Sequence, residues 1–288
     1  KSRVFIRSYI LNMLPEAVWL AEDWNMLFGD GNGENLLGIT NHTGVLPVES
    51  IIKDTIIKGE AGSVKSVESH NGGKDTIVEF TKPYDLMLNG MVITFANAAV
   101  VTDLNKANPI IKMNDRQILL KGVAFAGEET AIANMTFTVN NSFFQSIEAP
   151  NSEDVIKTAF AVMTYAQYYP NAITLNPSDV NAMESEKDTT GRNLGIIKVV
   201  NGVKHIANRP IVESTGMLPG EYFIGDMHMG ASIVDYTNLA LEWAEDVETK
   251  LCNEVVLIAS EEVIFPVYNP WAFAYGDLAE LKEAITKK

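Results

Sequence analysis

Apolar residues recur at three- and four-residue spacing between residues 4 and 28: Ile10, Leu14, Ala17, Val18, Ala21, Trp24, Leu27 and Phe28. That period places them along one face of a long helix. Pro15 interrupts the run and predicts a kink or the start of a second helical segment, because proline removes a hydrogen-bond donor. Residues 29–41, GDGNGENLLGITN, end the helix in glycine and asparagine before an apolar layer resumes at Leu36.

From 46 to 150 the texture changes to short β-rich runs, predicted at 64–68, 76–80, 91–95, 98–101, 118–125 and 135–139. Asn71-Gly72 is a hairpin signal between the first two. Strands at this spacing suggest a small sandwich or barrel. The helical period returns at 151–167, with Val155, Ala159, Val162, Met163 and Ala166 on one face and Asn151 or Ser152 as cap. Residues 172–175 then read as a strand. Asn176-Pro177-Ser178-Asp179 turns the chain and caps a helix over 180–187, which a polar turn at 188–192 ends. A hairpin follows at 198–206 around Asn201-Gly202, then strands at 209–212 and 222–226 joined by a tight turn at 218–221. Long strands are predicted at 231–235 and 240–243, an apolar run at 255–265, and a terminal helix at 278–285. The mixture is α+β.

Composition narrows the picture. A chain of 288 residues that is 47% hydrophobic buries a sizeable core in one or two domains. No apolar run is long enough to predict a transmembrane helix. The opening KSRVFIRSYILNML is basic, then apolar. Pro15, Glu16, Glu22 and Asp23 continue an amphipathic pattern with no small-residue cleavage site, which argues against a signal peptide. The chain lacks an initiating Met and is expected to be processed or truncated at its N-terminus. The single cysteine, Cys252, excludes a disulfide scaffold or a cysteine-rich zinc site and reads as a small packing residue in a reducing compartment. The charge of −15, from 22 basic and 37 acidic residues, is the wrong sign for a nucleic-acid binder. Glu242, Glu245, Asp246 and Glu248 read as a solvated face, or as a surface that avoids nucleic acid.

Candidate chemistry mostly fails on spacing. Asp30-Gly31-Asn32-Gly33-Glu34 resembles a calcium loop, but position twelve is Asn41 rather than Glu. Gly72-Gly73-Lys74 suggests a phosphate loop, but Glu68 stands where a glycine belongs and Asp75 replaces the hydroxyl residue. His42, His70, His205 and His228 are scattered, and His228 reads as packed or surface rather than as a ligand. Glu261-Glu262 interrupts an apolar run. A buried carboxylate there would have a raised pKa and accept a proton. The alternative is that one glutamate faces solvent by strand alternation, or pairs with an arginine. No catalytic residue, metal or cofactor is expected.

Four ordered pieces resemble the major capsid proteins of tailed bacteriophages, whose shared architecture is called the Johnson fold. Residues 21–41 resemble the end of the family's spine helix and its glycine loop. Residues 154–195 resemble the helix, "LNP" turn and "KD..GR" turn of the capsomer-centre A-domain. Residues 209–226, RPIVESTGMLPGEYFIGD, are similar to its strand pair, and 235–273 to its closing strands, helix and "P-A-F" ending. The resemblance implies a spine helix and loop at 1–45 (P-domain), an inserted β-rich domain at 46–150, an A-domain at 151–230, and at 231–288 P-domain long strands returning to the A-domain with a C-terminal helix. It implies a non-enzymatic shell protein of the virion, assembled in the host cytoplasm. Homo-pentamers and homo-hexamers would enclose double-stranded DNA without sequence-specific binding, and portal, scaffold and decoration proteins would be partners, with no membrane. An encapsulin-type nanocompartment shell shares the fold and is the alternative; a soluble α/β enzyme is a third reading. Relatives that crosslink subunits use a Lys–Asn bond assisted by a Glu. Glu261 matches that Glu, but Glu254 occupies the Asn position with Asn253 one residue away, and a one-residue slip reverses a strand's face. Crosslinking is therefore expected to be absent.

Overall fold

The computed structural model describes residues 2–52, 55–125, 127, 129–140, 147–245, 247–252 and 254–286. Its helices are α1 (Ser2–Phe28), α2 (Val48–Ile52), α3 (Ser152–Tyr165), α4 (Pro177–Glu184), α5 (Met227–Gly230), α6 (Val247–Leu251) and α7 (Leu278–Ile285). The strands begin with β1 (Thr55–Gly59), β2 (Val64–His70), β3 (Asp75–Phe80), β4 (Val92–Ala96), β5 (Asn108–Pro109), β6 (Ile111–Asn114), β7 (Gln117–Leu120) and β8 (Thr136–Asn140). They continue with β9 (Ala172–Leu175), β10 (Lys198–Val200), β11 (Val203–Ile206), β12 (Arg209–Glu213), β13 (Glu221–Gly225), β14 (Val234–Ala244), β15 (Val256–Ile264) and β16 (Phe273–Asp277). The fold is α+β. Among the described residues no helix is long and apolar enough to cross a membrane. The chain divides into two units: Lys1–Leu46 with Gly225–Phe273, and Pro47–Ile224 with Ala274–Lys288.

In the first unit α1 runs through Pro15 as one helix rather than two segments. Proline removes one N–H, and the turns on either side keep their own ladder. The half-buried face of α1 carries Leu14, Val18, Glu22 and Asn25, with Met26 buried, whereas Ile10, Ala17, Ala21 and Trp24 of the predicted stripe are exposed. Apolar residues thus lie on more than one face, and this unit covers only one. The loop after α1 folds back on itself: Gly31 donates to Leu36 O (3.1 Å) and Gly38 to Gly29 O (2.8 Å). A Cβ at Gly38 would run into the Leu27 carbonyl and the Gly29 nitrogen, so close backbone approach requires glycine there. Asp30, the first residue of the rejected calcium motif, accepts from Asn35 Nδ2 (2.9 Å) and from the Asn32 amide (3.1 Å). These bonds, the Asn35 side chain foremost, hold its carboxyl down at about 2. The strands predicted at 231–235 and 240–243 are one strand, β14, antiparallel to β15 from Val234↔Ile264 to Ala244↔Val256, with register shifts between Asp235 and Ala240. These irregularities let pairing continue across the polar gap.

The second unit holds two four-stranded antiparallel sheets, ordered β1-β8-β4-β5 and β2-β3-β7-β6, and a six-stranded mixed sheet, β10-β11-β12-β9-β13-β16. Phe137 of β8 packs against Phe80 of β3 (ring centroids 5.0 Å), Tyr84 (5.4 Å) and Phe95 of β4 (5.8 Å), joining the two four-stranded sheets through an aromatic core. The β2–β3 hairpin turns at Asn71-Gly72-Gly73, the segment that mimicked a phosphate loop. Residues 98–101, predicted as a strand, form a loop instead. The buried Glu129 carboxylate captures their amides: Oε2 accepts from Val101 (2.8 Å) and Val100 (2.9 Å), Oε1 from Ala99 (3.2 Å). Burial alone would raise the Glu129 pKa, but the amides of Val101, Ala131, Val100 and Ala99 outweigh it and lower it. The strand predicted at 118–125 stops at Leu120.

In the mixed sheet β9 lies parallel to β12, Ile173 opposite Ile211. A capping box starts α3: Asn151 Oδ1 accepts from Asp154 N (2.9 Å), and Asp154 Oδ2 accepts from Asn151 N (3.2 Å). Asn176 caps α4, which begins at Pro177 and ends three residues earlier than predicted, at Glu184. The Asn176 side chain also donates to Met217 O (2.7 Å). Asp188 Oδ1 gathers the Thr190 (2.8 Å) and Arg192 (2.9 Å) amides, which fixes the predicted polar turn. The short helix α2 was not anticipated. It buries Val48, Ile51 and Ile52, and with them Glu49. Tyr222 donates to Glu49 Oε1 (2.7 Å). Burial pushes the Glu49 carboxyl up and outweighs that bond.

Candidate functional site

Within the first unit, Glu261 sits half-buried on β15 while its neighbour Glu262 is exposed and accepts from Thr237 Oγ1 (2.9 Å). The pair therefore follows strand alternation, as one of the two sequence readings held. Glu261 is not alone. Carboxylate oxygens of Glu22 on α1, Asp235 on β14 and Glu261 lie within 4.8 Å of one another. Glu22 and Glu261 line an open cleft of about 720 Å³, together with Val18, Asn25, Tyr236 and Ile264. Burial first, then the charges of Glu261, Asp235 and Asp23, raises the Glu22 pKa. Glu22 thus holds a proton more readily than a free glutamate, and three clustered carboxylates suit an approaching cation. Sequence reading missed Glu22 and Asp235. The signal for Glu22 was present: Val18, Glu22 and Asn25 share a face at helical spacing, but only apolar positions were followed.

The remaining candidates separate. Glu254 is exposed, its amide bonded to Thr249 O (2.8 Å), and Asn253 lies outside the described residues. Cys252 is exposed, not a packing residue: it follows α6 at the far end of the β14–β15 ribbon, where little packs. His70 and His228 are exposed, His42 and His205 half-buried, and among the described residues no histidine joins a group of three potential metal ligands. Glu242 and Glu245 are exposed, as a solvated face requires; Asp246 and the Glu248 side chain lie outside the described residues.

This unit leaves many large apolar side chains exposed. Tyr236 is 81% exposed on β14, Val247 77% and Leu251 81% on α6, and Leu20 68% on α1. Met13, Trp19 and Trp24 of α1, and Val256, Ile258 and Ile264 of β15, are exposed as well. A two-stranded ribbon with apolar groups open on both sides is marginal in water unless something covers it.

A family model described as the phage capsid family matches residues 118–278, more than half of the chain. The match takes in three of the four resembling pieces and begins inside the β-rich segment; residues 21–41 lie outside it. No curated protein matches. Among solved structures, the capsid of a native GTA particle computed with C5 symmetry is 17% identical over 42% of this chain and 42% of that one, with a TM-score of 0.33. The capsid of an empty GTA particle computed with C5 symmetry is 18% identical over 36% of each chain, with a TM-score of 0.29. The chain therefore spans well under half of the length of either solved capsid chain. On the family match, this chain belongs to the phage capsid family and is a structural capsid protein.

Proposed function

We propose that copies of this chain close into pentamers and hexamers that tile an icosahedral shell around double-stranded DNA. The observation that carries this reading is the uncovered apolar surface of the first unit in a chain of this family. In a monomer that surface is a liability; between subunits it is interface. Ring closure of heterologous contacts would give the capsomers. In the family's terms, 1–45 acts as spine helix and loop of the P-domain, 46–150 as an inserted β-rich domain, 151–230 as the A-domain, and 231–288 as P-domain long strands returning to the A-domain with a C-terminal helix. Portal, scaffold and decoration proteins are further partners. The excess of acidic residues suits a wall that holds DNA without gripping it.

Glu261 is proposed to have no crosslinking role. The carboxylates of Glu22 and Asp235 stand beside it, and Glu254 takes the place of the acceptor amide. Denaturing electrophoresis of mature particles should show monomers; a ladder of covalent oligomers would sink this. Electron microscopy of the assembled product tests the larger reading. Uniform icosahedral particles filled with DNA are expected. Particles filled with a cargo enzyme would point to a nanocompartment, and a chain that stays monomeric under all assembly conditions would overturn shell formation.

A further inference from the structure

A cavity of about 600 Å³ in the second unit inverts the charge of the molecule around it. The chain carries 37 acidic and 22 basic residues, yet this cavity is lined by Lys157, Lys198, His205 and Arg209, with Glu153 as its one acid. Glu153 is already committed to Lys157 at 2.8 Å. Lys198 and Arg209 form no ion pair with any described residue. Both are exposed and stand on strands of the mixed sheet. Lys198 on β10 is directly opposite His205 on β11, so the two share a face of the sheet. Arg209 is opposite Ile206 and so stands on the other face of the sheet by register; it lines the cavity where β12 opens, after a turn in which Ala207 and Asn208 hold φ of 49° and 64°. Glu153 and Lys157 lie one helical turn apart on α3.

The same hairpin supplies an internal contrast. Lys204, the residue before His205, pairs with Glu213 (3.1 Å) and Glu184 (3.3 Å). Lys204 is thus neutralised by two carboxylates, whereas in the cavity the single carboxylate is taken by Lys157. His205 Nδ1 lies 2.9 Å from Val203 O, so as donor to that carbonyl it leaves Nε2 for the cavity.

We propose that this cavity is an oxyanion site for a compact multivalent phosphate. Two unpaired cations, one of them a guanidinium fork, match an anion with several charged oxygens better than a single carboxylate. The volume lies in the range of small-ligand sites. A long polynucleotide fits less well, because beyond the cavity it would meet a protein of net charge −15. The proposal does not depend on shell assembly.

Titration calorimetry of the whole chain with inorganic tripolyphosphate tests it. Saturable binding tighter than about 1 mM is expected, weakening by about tenfold or more in Lys198→Ala/Arg209→Ala. Lys204→Ala should bind as the parent does, and circular dichroism should show all three proteins equally folded. If the double variant misfolds, Arg209→Lys alone decides: it keeps the charge, loses the fork, and should still weaken binding. Absence of binding, affinity unchanged by the cavity variants, or an oligonucleotide bound as tightly as tripolyphosphate would each overturn the assignment.

Discussion

The two units treat their apolar residues in opposite ways. The second unit seals them: Phe80, Phe95, Phe137, Tyr222, Phe223, Leu281 and Ile285 are all essentially inaccessible. The first buries little beyond Met26, Ile39, Leu46 and Phe273, and leaves Trp19, Trp24, Tyr236 and Leu251 in solvent. The difference teaches where stability comes from. The second unit carries its own core, whereas the first, on the proposed function, is finished by contacts with other copies of the chain. Stability and assembly should therefore be separable by mutation.

The largest loss of stability is expected at the aromatic junction. Phe137→Ala should cost about 3–5 kcal/mol in urea unfolding of the unassembled chain. A cost below about 1 kcal/mol would mean that the two four-stranded sheets do not share this core. Next comes Glu129→Ala, which strands the amides of Ala99, Val100 and Val101. At least about 2 kcal/mol is expected, with faster hydrogen exchange at those three amides; unchanged exchange would sink the clamp.

Tyr222→Phe sharpens the contrast by pH. Glu49 has a raised pKa in the folded state, so its contribution is fully present below the ordinary carboxylate range and is lost as pH rises through the raised value. Removing the tyrosine hydroxyl hurts the ionised form most. The variant should lose about 1–2 kcal/mol at neutral pH and less in acid, where Glu49 is protonated; a loss that grows on acidification would refute the pairing. Asp30, Asp75, Asp188 and Glu129 have the opposite sign: their pKa values are lowered, so their stabilisation is present above the ordinary carboxylate range and fades as pH falls. The smallest change in stability, within about 0.5 kcal/mol, is expected for Val247→Ser and Leu251→Ser on α6. These should nonetheless lower the yield of particles in electron micrographs. Normal yield would remove α6 from the proposed interface.

Much of the fold was legible where local chemistry is decisive. Asn151 as cap, the Asn201-Gly202 hairpin, β9 at 172–175 and α7 at 278–285 all follow from capping residues, turn residues and period. What failed was decided at a distance. Residues 98–101 have strand-like composition, but Glu129 takes the amides of Ala99, Val100 and Val101, and Asn105 that of Ala98. The VESII of α2 reads as β by propensity, yet it is a single buried helical turn. The apolar stripe on α1 is only partly its packed face, which includes Glu22 and Asn25. Of the carboxylate trio the sequence disclosed only Glu261, because its neighbours come from elements far apart in the chain.

The order in which the units alternate along the chain has a kinetic consequence. The first unit takes its strands β14 and β15 from after residue 224, and the second takes α7 from after residue 273. During synthesis the apolar ribbon therefore emerges before Leu281 and Ile285 can close the neighbouring core. For that interval the nascent chain shows both an open core and a sticky ribbon, the state most exposed to misassembly. Shortening the chain by its last helix would prolong that state indefinitely, and the product should accumulate as aggregate rather than as shell.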